Sequence, residues 1–387
     1  MTLIKSISGI RGTIGGVPGD NLTPMDIVEC TAAYGQIVKE KKIGNKIVIG
    51  RDGRITGEMV SSIVVNTLIA MGFEVVDLGL STTPTVEIAV EAERASAGII
   101  ITASHNPKQW NALKFLNEKG EFISPETGEK ILNYIENKKY SFSHINDLGS
   151  VVNSNKYIDY HIKKILSLPF VNEDAIRNRK FKVVVDCINS TGAISVLPLL
   201  KKMGCEVIAI NDEITGDFAH NPEPLPQHLT DLSNKVIESK ADMGISVDPD
   251  VDRLAFVCEN GEMFGEEYTL VAAADIILSK KHGNVVSNLS SSRALGDIAK
   301  RYNCDYYPSK VGEVNVVAKM KEVNAVIGGE GNGGVILPYL HYGRDSLVGI
   351  ALVLSLLAER KVSLCELKSS YPDYSIVKNK IELTSDL

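Results

Sequence analysis

The chain has 387 residues, of which 44% are hydrophobic and 23% are charged, and its formal net charge is −7. These fractions are near the averages for soluble globular proteins, so they exclude a disordered chain, a collagen and a coiled-coil rod. A mildly acidic balance gives no support for nucleic-acid binding, which usually shows a basic footprint. At roughly 150 residues per domain, the length predicts two or three domains.

Nothing in the sequence indicates a membrane segment or a secreted protein. The longest apolar stretch, residues 347–358, is too short to cross a bilayer core of about 30 Å, and we interpret it as a buried helix. The first residues lack the basic start and apolar block of a secretory signal. The six cysteines are scattered without a C-x-x-C pair, so we expect a cytoplasmic setting without a disulfide or zinc framework. The histidines show no metal-ligand spacing.

An internal repeat organises the chain. Three segments each predict strand, loop, helix, turn and strand, and each turn carries a Gly or Asn suited to a left-handed helix C-cap. Strands that alternate with helices predict parallel β-α-β units. We therefore predict an α/β fold of three tandem, similar α/β domains with mixed sheets flanked by helices. The repeats lie at residues 46–76, 182–208 and 284–307; the predicted domains are residues 1–150, 151–256 and 257–372, with residues 373–387 starting a further linker.

The first chemical cluster follows a buried, strand-like run and ends in a tight polar loop that contains Ser104. In open α/β sheets, ligands gather at the carboxyl ends of strands, so this serine is well placed as a nucleophile or phosphoryl acceptor. Lys114 follows ten residues later and can exchange protons if neighbouring cations or burial lower its pKa. The alternative is a plain turn, since Ser, Asn and Pro all favour turns.

The second cluster holds Asp248, Asp250 and Asp252, directly after another strand-like run. Three carboxylates at this spacing repel one another unless a cation holds them. Oxygen-only ligands suit a hard divalent ion, and Mg²⁺ best fits phosphate chemistry. Arg253 adds a planar, permanently charged donor for a phosphate. The alternative is a solvated acidic turn.

The third cluster is a glycine-rich run near the end of the chain. Glu330 and Asn332 suit sugar hydroxyls, and glycines such as Gly331 allow close backbone approach to a ligand. The spacing does not fit a G-x-G-x-x-G dinucleotide loop, and a plain glycine-rich turn stays open. Arg11 and the two arginines of the loop at residues 51–54 are candidates for contacts to phosphate oxygens.

Three motifs, in this order and at these separations, resemble the α-D-phosphohexomutase superfamily: Thr-Ala-Ser-His-Asn-Pro at residues 102–107, Asp-Pro-Asp-Val-Asp-Arg at residues 248–253 and Gly-Glu-Gly-Asn-Gly-Gly at residues 329–334. This superfamily contains phosphoglucomutase, phosphomannomutase and phosphoglucosamine mutase, and the resemblance covers essentially the whole chain. It implies an isomerase that moves phosphate between O1 and O6 of a phosphorylated hexose or hexosamine. A phosphoserine would give its phosphoryl group to the substrate and form a bisphosphorylated sugar, the activator; the sugar reorients, and the other phosphate returns to the serine.

The resemblance also implies a role for each motif residue. Ser104 would carry the phosphoryl group, and His105 beside it would also be catalytic. Lys114 matches the family lysine proposed as general acid/base, while Arg11 and Arg253 match arginines around the reacting phosphate. The implied Mg²⁺ ligands are Ser104, Asp248, Asp250 and Asp252, and the implied substrate-binding residues are Arg253, Glu330, Gly331 and Asn332.

Two departures from the family pattern matter. Common forms of the sugar loop carry Ser and His where this chain has Asn332 and Gly334. This variant resembles phosphoglucosamine mutase-like members, although it also occurs in chains named phosphomannomutase. We therefore predict a phosphoglucosamine mutase, with phosphomannomutase or phosphoglucomutase as the alternative. Nothing after Tyr371 resembles the phosphate loop of the family's C-terminal fourth domain, so we expect this chain to lack that domain.

Two other functions stay open. An aspartyl phosphatase of the haloacid dehalogenase type would use Asp248 and Asp250 as nucleophile and acid, but it usually has Thr or Val where Asp252 stands. A non-catalytic phosphosugar-binding protein would need only the binding loops, yet the serine, the lysine and the metal aspartates are all present. The sequence leaves the oligomeric state open.

Overall fold

The first domain of the computed structural model is built on a seven-stranded mixed sheet with the strand order β1-β2-β6-β5-β3-β4-β7. The structure describes residues 2–6 and 9–374. In this domain the strands are β1 Ile4–Ser6, β2 Gly9–Thr13, β3 Lys46–Arg51, β4 Glu74–Leu80, β5 Ala97–Ile101, β6 Trp110–Leu116 and β7 Ser150–Asn153; the helices are α1 Pro24–Lys41, α2 Gly57–Ala70, α3 Thr83–Ala92 and α4 Pro125–Glu136.

The second and third domains are each built on a four-stranded sheet. The second has β8 Lys182–Asp186, β9 Glu206–Ile210, β10 Met243–Val247 and β11 Leu254–Cys258, with α5 Tyr157–Leu166, α6 Glu173–Arg179, α7 Gly192–Lys202 and α8 Thr230–Ser239. The third has β12 Val285–Asn288, β13 Tyr306–Ser309, β14 Ile327–Glu330 and β15 Gly334–Ile336, with α9 Glu266–Lys280, α10 Ala294–Arg301, α11 Glu313–Glu322, α12 Ser346–Arg360 and α13 Leu364–Ser369. The predicted fold class is confirmed.

The three sheets share one four-stranded arrangement. The orders β6-β5-β3-β4, β11-β10-β8-β9 and β15-β14-β12-β13 are equivalent, with three parallel strands and one antiparallel strand at the same end. The predicted left-handed turns are present at Gly72 (φ 85°), Gly204 (φ 81°) and Asn303 (φ 53°). The loops after β5, β10 and β14 therefore occupy the same position in each domain, and these loops carry the serine, the aspartates and the sugar motif.

The sheet edges extend slightly past the predicted domain limits. Strand β7 pairs in parallel with β4, so the first sheet continues to Asn153 rather than ending at residue 150. Strand β11 continues the second sheet to Cys258, two residues past the predicted limit at residue 256. The predicted linker at residues 373–387 lies mostly outside the described residues, which end at Tyr374.

The apolar stretch at residues 347–358 forms most of α12, and this helix is buried from Ser346 to Ala358. It packs against α9, α5 and α6, so a single hydrophobic core spans the second and third domains. Asp345 caps the start of α12 by accepting from the backbone N–H groups of Leu347 and Val348. Among the described residues, no helix has the length and apolar character to cross a membrane.

Candidate active site

Ser104 lies at the end of β5 in a strained backbone conformation. Its φ is +48°, in the left-handed region that a side chain with a Cβ rarely adopts, and the residue is 7% exposed. The backbone N–H of Ser104 donates to Thr102 Oγ1 at 2.9 Å, and Thr102 Oγ1 donates to Asp52 Oδ2 at 2.6 Å. The loop is thus fixed by side chains beneath it, as is common where strain is held at a functional site.

Arg54 fixes the same loop from below and does not face a phosphate position. It is 1% exposed, and its Nε donates to Asp52 Oδ2 at 3.0 Å. Its remaining donors go to backbone carbonyl oxygens of Ser104, Asn106, Pro107 and Trp110, at 2.6 to 2.9 Å. The prediction that this arginine meets phosphate oxygens is wrong, because every nitrogen of its side chain already donates within the protein.

The acidic loop between β10 and β11 reaches across to the serine of the first domain. Asp248 Oδ2 accepts from Ser104 Oγ at 2.6 Å, and Asp248 Oδ1 accepts from the backbone N–H groups of Asp252 and Arg253 at 3.0 Å. A left-handed Val251, with φ 61°, helps to turn the loop back on itself. Ser104 and the first aspartate are 144 residues apart in sequence, so only the fold brings them together.

The other two aspartates are each held by one oxygen. Asp250 Oδ2 accepts from Thr83 Oγ1 at 2.6 Å and from Lys114 Nζ at 2.9 Å. Asp252 Oδ2 accepts from Arg344 Nη2 at 2.7 Å. The Oδ1 atoms of both aspartates are buried, and no donor among the described residues lies within hydrogen-bonding distance of them.

These two unpartnered oxygens fit a divalent cation. One carboxylate oxygen from each of the three aspartates lies within 4.8 Å of the others. Burial, together with the charges of Asp252 and Asp250, raises the pKa of Asp248 well above its usual value. A hard cation such as Mg²⁺ prefers oxygen ligands and would neutralise this repulsion. The predicted ligand set is therefore brought to one place, with Ser104 Oγ beside it.

Lys114 reaches the acidic loop from the first domain. Its Nζ is 2.9 Å from Asp250 Oδ2 and 3.6 Å from Asp252 Oδ2. Burial lowers the pKa of Lys114, but the two carboxylates outweigh burial and raise it above its usual value. The condition of a lowered pKa, stated above for proton exchange, is not met, because anionic groups arrive from the second domain. At neutral pH this amine is an ammonium group and a proton donor.

His105 lies beside Ser104 Oγ, and Arg253 lies near His105. His105 Nδ1 is 3.4 Å from Ser104 Oγ, while burial and the nearby Arg253 lower the pKa of His105 to about 4. Arg253 Nη1 donates to Glu223 Oε1 at 2.9 Å. Its Nε is buried and has no partner among the described residues. The histidine is therefore neutral at pH 7, and the Nε–H group of Arg253 is free to donate to a ligand.

Arg11 is placed on the same face of the first sheet as Lys114. It is exposed on β2 and pairs with Ala112 of β6, while Lys114 pairs with Gly9, two residues before Arg11. Paired residues of antiparallel strands project to the same face, so both cations lie on one side of the sheet.

The sugar loop is held internally by its own carboxylate. Glu330 Oε1 accepts from Asn288 Nδ2 at 2.8 Å and from the Gly312 N–H at 3.2 Å. Asn332 Nδ2 lies 3.4 Å from Glu330 Oε2. A Cβ on Gly331 would lie 2.8 Å from a backbone oxygen of the neighbouring loop. Close packing therefore favours glycine at this position, in addition to the predicted approach of a ligand.

Arg344 joins the sugar loop to the acidic loop. The residue is 8% exposed, and its three nitrogens contact three carboxylates: Nε with Glu313 at 2.8 Å, Nη2 with Asp252 at 2.7 Å and Nη1 with Glu330 at 3.0 Å. The sequence analysis gave this arginine no role. Its only signal was a Gly-Arg-Asp turn directly before a long apolar helix.

Comparison with known proteins agrees with this geometry. Profiles of phosphoglucomutase/phosphomannomutase α/β/α domains I, II and III match residues 3–142, 155–261 and 264–374. The chain belongs to the α-D-phosphohexomutases. Members of this superfamily are isomerases that transfer phosphate intramolecularly.

Three similar phosphohexomutases illustrate the relationship. A Methanopyrus kandleri protein named "Probable phosphoglucosamine mutase" is 35% identical over 98% of this chain and 81% of its own length. A "Phosphoglucosamine/phosphogalactosamine mutase" of Sulfurisphaera tokodaii is 32% identical over 98% of this chain and 82% of its own. A solved structure of a phosphoglucomutase/phosphomannomutase family protein from Burkholderia thailandensis has a TM-score of 0.85 and 26% identity, covering 96% of this chain and 80% of that one.

Proposed function

We propose that this phosphohexomutase interconverts hexosamine 1-phosphate and hexosamine 6-phosphate through a phosphoserine at Ser104, with glucosamine phosphate as its substrate. The observation that carries this proposal is the 2.6 Å contact between Ser104 Oγ and Asp248 Oδ2, beside the unpartnered oxygens of Asp250 and Asp252. A phosphatase that used Asp248 as its nucleophile would not need a buried serine against that carboxylate.

The reaction exchanges one P–O bond for another. The bond between the phosphorus and Ser104 Oγ breaks, a bond from the phosphorus to a sugar hydroxyl forms, and the hydroxyl loses its proton. Lys114, an ammonium group beside Asp250, would give a proton to the oxygen that leaves. His105, neutral beside Ser104 Oγ, is placed to accept the hydroxyl proton. Bound Mg²⁺ would supply positive charge to the phosphoryl oxygens.

The cations around the serine would orient the transferring group. Arg253 has a buried Nε without a partner among the described residues, and Arg11 is exposed on the face that carries Lys114. Phosphoryl transfer depends on positioning and charge neutralisation more than on covalent chemistry, so these groups supply what the step needs. Glu330 and Asn332 would accept and donate hydrogen bonds to sugar hydroxyls.

The substrate class rests on the names of relatives. Two of the relatives above are named for hexosamine phosphates, of glucosamine in one case and of glucosamine and galactosamine in the other. The family profiles and the Burkholderia structure are named for glucose and mannose phosphates, and these sugars are the second candidate class.

The first experiment tests the phosphoserine. The full chain is incubated with Mg²⁺ and glucosamine 1,6-bisphosphate, and the phosphorylated residue is mapped by mass spectrometry. We expect phosphate on Ser104, none in Ser104→Ala, and an unchanged result in Ser62→Ala, which removes an exposed hydroxyl of α2. Phosphate on Asp248 instead, with release of inorganic phosphate, would refute the mutase mechanism.

The second experiment tests the sugar. The 1-phosphates of glucosamine, N-acetylglucosamine, glucose and mannose are compared by the rate at which each forms its 6-phosphate. We expect the highest kcat/KM for glucosamine 1-phosphate. A higher value for glucose or mannose would retain the mutase and transfer the proposal to the second substrate class.

A further inference from the structure

A second cluster of ligand-type side chains lies where α3, α5 and the start of α12 meet. His161 Nε2 is 2.9 Å from Asp345 Oδ2, and His341 Nε2 is 3.4 Å from the same oxygen. The three atoms all lie within 4.8 Å of one another. His161 and Asp345 are fully buried, and the side chain of His341 is 7% exposed. The residues are up to 184 positions apart, so their sequence spacing gave no sign of the cluster.

Each imidazole has an oxygen atom close to the nitrogen that faces away from Asp345, and at His161 the two atoms are hydrogen-bonded. His161 Nδ1 lies 2.9 Å from Thr85 Oγ1, and His341 Nδ1 lies 3.0 Å from Glu87 Oε2. Metal-binding histidines almost always donate their second ring N–H to a carboxylate or another oxygen, which fixes the tautomer and the ring orientation. The outer hydrogen bond needed for a metal-bound Nε2 is therefore present at His161, and at His341 a carboxylate oxygen lies close enough to form one after a small rotation.

The backbone around the cluster holds the carboxylates in place. Asp345 Oδ1 accepts from the first N–H groups of α12, at 2.8 and 3.3 Å, and this leaves Oδ2 directed at the two histidines. A Cβ on Gly343 would lie 1.8 Å from Glu87 Oε2. Only glycine at this position lets Glu87 approach the turn that carries His341.

The charges of the cluster also suit a divalent cation. Glu87 and Asp345 are both buried, and a buried carboxylate is costly unless positive charge compensates it. A dication bound by two neutral imidazoles and one carboxylate balances both negative charges. Two nitrogen ligands and one oxygen are typical of Zn²⁺, and its bond lengths of about 2.0–2.2 Å place tetrahedral ligand atoms roughly 3.4 Å apart. The contacts of 2.9 and 3.4 Å are close to that spacing.

We propose that His161, His341 and Asp345 form a Zn²⁺ site in addition to the acidic loop, with Glu87 and Thr85 as the outer partners of the two histidines. The ion would be structural and would not contact substrate. Its ligands and their partners come from α3 in the first domain, α5 in the second and the start of α12 in the third. Thr83, two residues before Thr85, holds Asp250, and Arg344, next to Asp345, holds Asp252. The Zn²⁺ would therefore stabilise the positions of Thr83 and Arg344, the two residues that hold the acidic loop.

The test uses the full chain, stripped of metal by a chelator and then saturated with Mg²⁺ so that the acidic loop is occupied. We expect one further equivalent of Zn²⁺ to bind by calorimetry. Co²⁺, used as the spectroscopic probe, should give the intense visible bands of tetrahedral coordination without a thiolate charge-transfer band. Zn²⁺ should also raise the Tm of the protein.

The variants assign the binding to the cluster. His161→Gln and His341→Gln should each lose the additional equivalent and the Tm increase, whereas His144→Gln, which changes an exposed histidine, should keep both. If a cluster variant fails to fold, the Zn²⁺ stoichiometry and the Co²⁺ spectrum of the wild-type protein still test the proposal. Absence of the additional equivalent, an octahedral Co²⁺ spectrum, a thiolate band from the cysteines, or full binding by both cluster variants would overturn the proposal.

Discussion

Replacing Arg54 by Met would remove the support beneath the loop that carries Ser104. The substitution keeps much of the side-chain volume but deletes every hydrogen bond of the guanidinium group. It leaves the Asp52 carboxylate, which is fully buried, without its cation. It also removes one donor from each of four carbonyl oxygens of the loop. We expect both lower stability and a displaced Ser104.

The size of the effect follows from the buried charge. Breaking a buried ion pair by removing one partner costs about 3–5 kcal/mol, because the other charge stays buried and uncompensated. With an m value of about 2 kcal/mol/M in urea, this corresponds to a midpoint lowered by about 1.5–2.5 M. Asp52→Asn combined with Arg54→Met should lose less than Arg54→Met alone, since no buried charge then remains.

The assay can be local, because the chain has one tryptophan and its carbonyl oxygen accepts from Arg54. Fluorescence of Trp110 therefore reports on the first domain during urea unfolding. The control is Arg177→Met, which changes an arginine whose side chain is 57% exposed and should shift stability by less than about 0.5 kcal/mol. If Arg54→Met and Arg177→Met unfold at the same urea concentration, the buried support is not what holds this loop.

Three further predictions test other parts of the molecule. Gly216→Ala should cost about 1–3 kcal/mol more than Gly79→Ala in urea unfolding: both glycines have positive φ, but only at Gly216 would a Cβ meet backbone, 2.2 Å from a carbonyl oxygen of the first domain. Equal costs would contradict that close approach. The Asp186 carboxylate outweighs burial and raises the pKa of His220 above 6.5, so the pair stabilises the fold fully below pH 6.5 and less as pH rises through the raised value. The Tm difference between wild type and His220→Gln should therefore shrink from near pH 6 to near pH 9, and a growing difference would show that the sign is wrong. Lys114→Met should lower mutase turnover about 10²–10⁴-fold while Mg²⁺ binds more tightly by calorimetry, since a competing cation leaves the acidic loop; weaker Mg²⁺ binding would mean that the lysine supports the site.

Much of the active site could be predicted because its chemistry is local. Ser104 and the three aspartates each follow a strand, and the carboxyl ends of parallel strands are where ligands gather in α/β sheets. The internal repeat shows in addition that the three loops are equivalent, since the serine, acidic and sugar loops each follow the same strand in three similar domains. A motif that directly follows a strand can therefore be assigned to the active site before the residues that contact it are known.

The residues that hold these loops could not be assigned in the same way. Arg54 donates to carbonyl oxygens 50 to 56 residues further along the chain, and Arg344 reaches a carboxylate 92 residues away. Every residue has a backbone carbonyl group. The sequence therefore does not distinguish an arginine that donates to carbonyl oxygens from one that binds phosphate. The raised pKa of Lys114 could not be predicted for a related reason, because its anionic neighbours belong to another domain.

The guanidinium of Arg344, which contacts two loops, limits how domains can be exchanged between related enzymes. Because one side chain in the third domain binds both Glu330 of its own sugar loop and Asp252 of the second, the two loops are not independent modules. A chimaera that imports a third domain to change sugar preference would also replace one of the contacts that positions Asp252. Successful exchanges should therefore be those in which the acidic loop and the Gly-Arg-Asp turn are inherited together.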